Sequence, residues 1–354
     1  MKAGFAFSRA VYARDGRLLQ LTFSADGRHR LWVPLGEISP LLIEATLLNE
    51  DRRFRLHQGI DPASLARAAW TTYGTRTRRR GGSTITMQLA RLKYGLDSSR
   101  PSGKVIQILR ALQLELFYSK DRILEAYLNL VPYGGNIEGA GAASLVYFGK
   151  DVSRLDLSEA ISLAVIPQNP IRRTMTAAGK ANRRALEDAR RRLFARWISV
   201  HPEDARQGNP LETPWAVLGP KKLPLVAPHF TRGVLARTRE GRVVTTLDLD
   251  AQKLLERLVA GHVERRRDQG IKNAAALLVD ITSMEIVAAV GSANYADESI
   301  SGQVSALTAR RSPGSALKPF VYALAFEQGL IHPHSLLKDA PAAFGAYDPE
   351  NFDG

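Results

Sequence analysis

Hydrophobic and polar positions change their spacing along this chain of 354 residues, and the changes divide it into four segments. Residues 1–35 contain an alternating stretch with an Asp15-Gly16 turn signal, which predicts a small β hairpin that leads into the next segment. Residues 36–200 carry apolar side chains every three or four positions, the spacing of amphipathic helices. This segment is predicted to be one all-α domain, with helices near 40–50, 61–73, 84–94, 104–118, 120–131, 139–147, 156–166 and 180–197.

The helical periodicity ends near residue 200, and the chain then changes its structural class. Residues 201–243 contain six prolines and no regular pattern, which predicts a linker or an irregular connection. Residues 244–354 mix strand-like and helical patterns, so we predict an α+β domain there and expect it to be incomplete. Its predicted elements are a strand at 243–247, a helix at 250–265, strands at 274–280 and 285–290, and a helix from 312 to 328.

The net charge of +14 indicates an anionic partner, such as a phosphorylated substrate, an anionic membrane surface or a nucleic acid. No nucleic-acid motif accompanies the charge, so nucleic acid is not the predicted partner. The absence of cysteine excludes disulfides and cysteine-based zinc sites, and the seven histidines lack the spacing of metal ligands. No signal peptide and no stretch of roughly 18 apolar residues is visible, so the sequence predicts a soluble or peripheral chain.

Two places in the helical region carry residues suited to chemistry. Glu50 and Asp51 end the first predicted helix beside two arginines, which fits either a solvated helix end or a general base at the rim of a basic cleft. The stretch Gly81–Arg91 follows a basic run and opens a helix, where free N–H groups and the helix dipole favour an anion. An ordinary loop-to-helix junction fits the same residues.

Several motifs in a fixed order resemble those of one family. They are Glu50–Phe54, Gly81–Arg91, Ser119–Leu124, Tyr127–Asn129 and Pro132–Gly134. Together they are similar to the motifs of the peptidoglycan glycosyltransferases of family 51, which form the N-terminal half of class A penicillin-binding proteins. The resemblance implies a multi-domain protein: a mainly α, lysozyme-like glycosyltransferase domain followed by an incomplete α+β penicillin-binding transpeptidase domain.

The resemblance also implies a reaction, an inverting glycosyl transfer that polymerises lipid II with loss of the lipid pyrophosphate. It makes Glu50 the general base. Gln107 stands where most of the family has a glutamate, so the implied Mg²⁺ or Mn²⁺ at the pyrophosphate is in doubt. The substrate-binding residues that the resemblance implies are Ser83, Thr84, Gln88, Arg91, Lys104, Gln107, Lys120, Asn129 and Tyr133.

Two alternatives to the transferase stay open at this point. One is a catalytically inactive scaffold for cell-wall synthesis that binds lipid II or partner proteins. The other is a lytic, lysozyme-like hydrolase, in which Glu50 would have to be a protonated general acid. We expect Arg52 and Arg53 to favour the ionised form of Glu50 instead, which argues for a base.

The last segment contains Ser315 and Lys318 at the Ser-x-x-Lys spacing, which brings both onto one face of a helix. The flanking residues resemble the signature of penicillin-binding transpeptidases, so the resemblance makes Ser315 the acylated nucleophile and Lys318 its base. The Ser-x-Asn and Lys-Thr-Gly motifs that such a domain needs do not follow. We therefore expect no transpeptidase activity from this chain.

The resemblance finally implies where the protein acts and with what. It implies the periplasmic face of the bacterial inner membrane, and as partners lipid II, the nascent glycan strand, the membrane surface and other cell-wall synthesis proteins. No nucleic-acid partner is implied.

Overall fold

The computed structural model describes most of the chain, which divides into two compact units, Met1–Leu307 and Thr308–Gly354. The predicted helix at 61–73 lies largely outside the described residues, and so does Gly81 of the predicted anion site. The described residues are 1–63, 82–98, 100–175, 180–207, 209–212, 218–310 and 312–337.

The helices predicted between residues 36 and 200 are present wherever the structure describes the chain, and a one-turn helix, α7, is added to them. In chain order they are α1 (Pro40–Glu50), α2 (Ile85–Tyr94), α3 (Pro101–Phe117), α4 (Lys120–Leu130), α5 (Ala140–Phe148), α6 (Leu157–Val165), α7 (Pro170–Arg173) and α8 (Lys180–Ile198). Helix α1 packs against α6 and α8, and α2 packs against α3 and α4. The apolar stripes of these helices therefore meet in one core.

Helix α5 lies inside this core, and all of its residues are buried. Its first turn consists of small residues, which lets other backbone segments approach closely. A Cβ atom added to Gly141 would lie 2.5 Å from Cγ2 of Val33. The segment before α1 can therefore pack directly on α5 only because residue 141 has no side chain.

A small sheet that the sequence did not predict joins the helical region to the segment before it. Strands β3 (His29–Arg30), β4 (Pro132–Gly134) and β5 (Ile137–Glu138) form it in the order β3-β5-β4. The prediction of a purely helical region was wrong here because strands of two or three residues are too short to show a period of two.

The predicted N-terminal hairpin is present, but it belongs to a larger sheet. Strand β1 (Ala10–Tyr12) pairs antiparallel with β2 (Leu18–Leu21). On its other side β1 pairs in parallel with β6 (Arg242–Val244), with Val11 opposite Val243. The hairpin is thus tied to a strand that follows the predicted linker. The boundaries that the sequence analysis set at residues 35, 200 and 243 stay predictions.

The proline-rich segment is more regular than the sequence indicated. It contains the helix α9 (Pro228–Arg237), whose first residue is a proline, a residue tolerated at the first helical position. Leu235 of this helix packs with Val11, Leu19 and Leu247 in a second small core. The prediction of an irregular connection failed here because the apolar residues of α9 are few and its partners are distant in sequence.

The later part of the chain has the predicted order of elements. Helix α10 (Leu249–Arg265) packs on strand β8 (Ile286–Val290), which pairs antiparallel with β7 (Ala276–Val279). In the second unit a short 3₁₀ helix, Gly314–Leu317, leads into α11 (Lys318–Glu327). The other 3₁₀ helices among the described residues are Leu35–Glu37, Val152–Arg154, Pro202–Gln207, Pro220–Lys222, Arg267–Gln269 and Glu298–Ile300.

Asn129 on α4 connects the segment before α1 to the helical core. Its side chain is completely buried. Its Oδ1 atom accepts a hydrogen bond from the Val33 N–H at 2.7 Å, and Nδ2 donates to the carbonyls of Val33 and Glu125, both at 2.8 Å. The residue was predicted to bind substrate, but with no exposed surface and a fully engaged amide it has a structural role in this fold.

We expect Asn129→Ala to lower the free energy of unfolding by roughly 2–4 kcal/mol, because three hydrogen bonds are lost and the buried N–H and carbonyl of Val33 lose their partner. Urea unfolding followed by circular dichroism measures this loss. Asn209→Ala is the control, since Asn209 is exposed, and it should change the free energy by less than about 0.5 kcal/mol. Equal stability of the two variants would contradict the structural role of Asn129.

Candidate active site

The end of α1 and the start of α2 are held together by the carboxylate of Asp51, which is only 8% exposed. It accepts a hydrogen bond from the Ile85 N–H at 3.0 Å. Both of its oxygens also lie 3.0 Å from Nε2 of His57. A carboxylate at a helix N-terminus is favoured by the dipole, so Asp51 acts as a cap supplied by another helix.

Thr84 is the N-cap of α2. Its Oγ1 atom accepts a hydrogen bond from the Met87 N–H at 3.2 Å and donates one to the Gly59 carbonyl at 2.6 Å. The N–H groups of Ile85 and Met87 are therefore already bonded within the protein. The carboxylate of Asp51 is thus an anion held at this turn, and the binding of a substrate anion there stays a prediction.

Glu50, the residue before Asp51, is held by two amides. Oε2 accepts a hydrogen bond from Nε2 of Gln88 at 2.8 Å, and Oε1 accepts one from Nδ2 of Asn49 at 3.0 Å. Oε1 of Gln88 in turn accepts a longer hydrogen bond, 3.4 Å, from the Tyr127 hydroxyl. Gln88 lies one turn into α2. The hydrogen bond from the start of α2 to Asp51 therefore fixes the position along α2 at which Glu50 meets the side chain of Gln88.

A second group of side chains lies behind Glu50, on the turn after α6 and on α7. Nε2 of Gln168 donates to the Asn49 carbonyl at 3.4 Å. Nη1 of Arg173 donates to Oε1 of Gln168 at 3.0 Å and to the Val165 carbonyl at 2.7 Å. The guanidinium group is thus fixed close to the carboxylate of Glu50 and acts on it electrostatically.

Burial raises the pKa of Glu50 above its ordinary value, and this effect exceeds the opposing ones. The amides of Gln88 and Gln168 and the charge of Arg173 act to lower that pKa. The sequence analysis expected Arg52 and Arg53 to keep Glu50 ionised. That expectation is corrected, since both arginines are exposed and the cation that acts on Glu50 is Arg173.

A cationic pair lies further along α2 and on α3. Nζ of Lys104 donates to Oγ of Ser83 at 2.7 Å and to Oε1 of Gln107 at 3.0 Å. Burial and the neighbouring Arg91 both lower the pKa of Lys104. Across the described residues neither Lys104 nor Arg91 forms an ion pair with a carboxylate. Two uncompensated positive charges beside a hydroxyl make an anion site.

Lys120 and Tyr133, which were also predicted to bind substrate, belong to the internal framework. Nζ of Lys120 donates to Oε1 of Glu115 at 2.7 Å and to the carbonyl of His57. Tyr133 is completely buried, and burial together with the charge of Glu50 raises the pKa of its hydroxyl. Both residues make their contacts inside the fold, and their role in binding substrate stays a prediction. Like Lys104, Arg91, Gln88 and Gln107, they are not among the described residues that line the cavity below.

A cavity of about 410 Å³ opens at the junction of α1 and α2. Glu50, Ser83 and Thr84 line it, together with residues that the sequence analysis did not select. Asn49 could have been found as the neighbour of Glu50, whereas Gln168 and Arg173 reach Glu50 only through the fold. Among the described residues, the lining consists of Leu48, Asn49, Glu50, Asp51, Arg52, Arg53, Asp61, Gly82, Ser83, Thr84 and Arg196.

The residues at the anion site do not fit a divalent cation. Such ions take oxygen ligands and favour carboxylates. Here the oxygens of Ser83 and Gln107 already face the ammonium group of Lys104. Within the described part of the chain, no group of three or more His, Asp or Glu residues could hold a metal ion.

Ser315 and Lys318 belong to the second unit, which is described by itself. Ser315 lies in the 3₁₀ helix and Lys318 is the first residue of α11, so the single predicted helix is two consecutive ones. A spacing of three still puts both side chains on one face, because a 3₁₀ helix has three residues per turn. Both residues are exposed, and their roles as nucleophile and base stay predictions.

None of the described helices combines the length and the apolar character needed to cross a bilayer.

The chain is similar to known proteins over nearly its whole length. Penicillin-binding protein 1C of Escherichia coli (strain K12) is 42% identical over 98% of this chain and 44% of its own length. Penicillin-binding protein 2D of Bacillus subtilis (strain 168) is 31% identical over 98% of this chain and 52% of its own length. The chain therefore spans about half the length of these relatives.

The crystal structure of penicillin-binding protein 1A from Haemophilus influenzae aligns with 79% of this chain and 32% of that one. Its TM-score is 0.31 at 18% identity, which is too low to support an argument.

Two family models match the chain directly. The model described as penicillin binding protein transpeptidase domain matches residues 274–352. The model described as transglycosylase matches residues 15–195, slightly more than half of the chain and the part that contains Glu50, Asp51 and the cationic pair. The chain therefore belongs to the transglycosylase family.

Proposed function

We propose that this chain is a peptidoglycan glycosyltransferase that polymerises lipid II into glycan strands, with Glu50 as the general base. The observation that supports this most is the pairing of a half-buried, hydrogen-bonded Glu50 with an uncompensated cationic site on α2 and α3. One group suits removal of a proton, and the other suits a departing pyrophosphate. The chain's relatives are bacterial penicillin-binding proteins, which agrees with a cell-wall substrate.

In the proposed reaction a sugar hydroxyl oxygen of the acceptor attacks the anomeric carbon of the donor. The bond from that carbon to the phosphate oxygen breaks, and its electron pair leaves with the lipid pyrophosphate. Glu50 takes the hydroxyl proton as the new glycosidic bond forms. Burial raises the pKa of Glu50, which makes its carboxylate a stronger base at neutral pH than an exposed one.

Negative charge develops on the pyrophosphate as it leaves, so fixed cations there lower the barrier. Lys104 and Arg91 supply the charge, and Ser83 is positioned beside Lys104 by a 2.7 Å hydrogen bond. Gln88 has a different task, because its amide points at Glu50. We propose that it orients the base and does not bind the pyrophosphate.

A lipid-linked substrate also requires contact with a membrane, and α3 has a surface suited to it. Val105, Leu109, Leu116 and Phe117 are 56%, 60%, 82% and 73% exposed. An apolar row beside a basic residue such as Lys104 favours docking at a lipid surface. We propose that α3 brings the cationic pair to the periplasmic face of the bacterial inner membrane, where lipid II and the nascent strand would be bound.

The raised pKa of Glu50 suits a second function as well, because a carboxyl that keeps its proton to higher pH than an exposed one can act as a general acid. A lytic hydrolase that cleaves glycan strands is therefore the second candidate. Analysis of the products separates the two, since a transferase lengthens strands and a hydrolase shortens preformed ones. If the folded protein gives neither product, the non-catalytic scaffold is the function that remains.

The direct test is polymerisation of labelled lipid II in detergent. We expect Glu50→Gln to lower the rate by about 10²–10⁴-fold, because the amide cannot accept the proton. Glu44→Gln on the same helix is the control and should stay within about twofold of the wild type, since Glu44 contacts His201 beyond the end of α8 and does not line the cavity. Full activity of Glu50→Gln would rule out Glu50 as the base.

The acid limb of the pH profile should report the pKa of Glu50. Because the carboxylate form accepts the proton, kcat/KM should fall as the pH drops through that pKa. Arg173 acts to lower it, so Arg173→Met should move the limb to higher pH. The groups facing Glu50 also include Arg196, which lines the cavity, and Tyr127, which contacts Gln88.

Arg172→Met is the matched control for this experiment, because Arg172 is the exposed neighbour on α7. Its profile should overlay that of the wild type. A limb that moves equally in both variants, or in neither, would contradict the role given to Arg173.

A further inference from the structure

We propose that the anion site of this chain binds the pyrophosphate of its donor through the ammonium group of Lys104 and the guanidinium group of Arg91, without a divalent metal ion. The inference rests on the proposed function for the identity of the anion. It extends that function by naming the groups that compensate the negative charge of the departing pyrophosphate.

The position of Lys104 is fixed before any ligand arrives. An ammonium group has three N–H donors. Two of them are directed at Ser83 and Gln107, at 2.7 and 3.0 Å. Both acceptors are neutral, so the positive charge of Lys104 is not cancelled by its own partners. The third donor and the whole charge remain for an oxygen of the ligand.

Gln107 is suited to this arrangement as an amide and not as a carboxylate. It is 2% exposed, and its Nε2 atom donates to the Met87 carbonyl at 2.6 Å while Oε1 accepts from Lys104. A glutamate at this position would put a negative oxygen against the Met87 carbonyl. It would also form an ion pair with Lys104 and remove the charge that the ligand needs.

The two acidic residues at the end of α1 are also engaged elsewhere. Asp51 caps α2 and contacts His57, and Glu50 accepts hydrogen bonds from Asn49 and Gln88. A divalent cation at the site would therefore meet an ammonium group where it needs oxygen ligands. Arg91 adds a second positive charge, which lowers the pKa of Lys104 and would repel a metal ion as well.

The test is isothermal titration calorimetry with inorganic pyrophosphate, in EDTA and in Mg²⁺, beside lipid II polymerisation in the same two buffers. We expect the wild-type protein to bind pyrophosphate in EDTA, and its polymerisation rate to differ by less than about twofold between the buffers. Strict dependence of both readings on Mg²⁺ or Mn²⁺ would overturn the proposal.

Lys104→Met tests the cation itself. We expect its affinity for pyrophosphate in EDTA to fall at least about tenfold, because a charge-assisted hydrogen bond is lost. Arg110→Met is the matched control on the same helix, since Arg110 is exposed and contacts Gln113 and the ring of Tyr94. Its affinity should stay within about twofold. Unchanged affinity in Lys104→Met, with a folded protein by circular dichroism, would overturn the proposal.

Gln107→Glu is an independent test, because it predicts a gain of metal binding as well as a loss of pyrophosphate affinity. We expect this variant to bind pyrophosphate weakly in EDTA and to regain affinity when Mn²⁺ is added, because the new carboxylate cancels Lys104 and offers a metal ligand. Electron paramagnetic resonance of Mn²⁺ measures the ion directly, and the wild-type protein should show no such binding. Tight Mn²⁺ binding by the wild type would contradict the proposal.

The two proposals fail in different ways. Pyrophosphate binding by the wild type in EDTA, with no polymer in any buffer, would contradict the transferase function and support the metal-free anion site. Polymerisation that requires Mg²⁺ would support the transferase function and contradict the metal-free anion site.

Discussion

The candidate site depends on one buried carboxylate. Asp51 is the residue that follows α1, and it caps α2 through the N–H of Ile85 while it contacts His57. A cap supplied by a different helix fixes both the distance and the register between the two helices, because the N–H and the carboxylate must meet. Glu50 precedes Asp51 and Gln88 lies one turn into α2, so this single contact determines where base and amide meet. The cavity opens at the same junction.

Two opposite electrostatic demands are met a short distance apart. The first concerns Glu50. Its burial favours the neutral form and raises the pKa, while the neighbouring amides and Arg173 favour the carboxylate and reduce that rise. The second concerns Lys104, which burial and Arg91 make less basic and which has only neutral partners. In both groups burial disfavours the charged form, and a bound substrate would stabilise that form. Such tension between burial and charge is typical of functional sites.

Local pattern predicted the helices well, because a spacing of three and four is a property of each segment alone. It missed the parallel pairing of β1 with β6, since partners more than 200 residues apart leave no local signal. In the site, the motifs identified Glu50 and the start of α2. They could not show that Asn129 is buried, or that Arg173 rather than a neighbouring arginine acts on Glu50. Those facts follow from tertiary packing, which places side chains from distant helices around one carboxylate.

The most direct test of this account measures thermal unfolding and lipid II turnover together in Asp51→Ala and Glu50→Gln at pH 7. Asp51→Ala should lower both, with a loss of roughly 3 kcal/mol in stability, because Ile85 and His57 lose a charged partner. Glu50 has a raised pKa, so its ionised form costs stability above that pKa, and a neutral glutamine should leave the melting temperature equal or higher while turnover is lost. A destabilised Glu50→Gln beside an Asp51→Ala of wild-type stability would contradict the account.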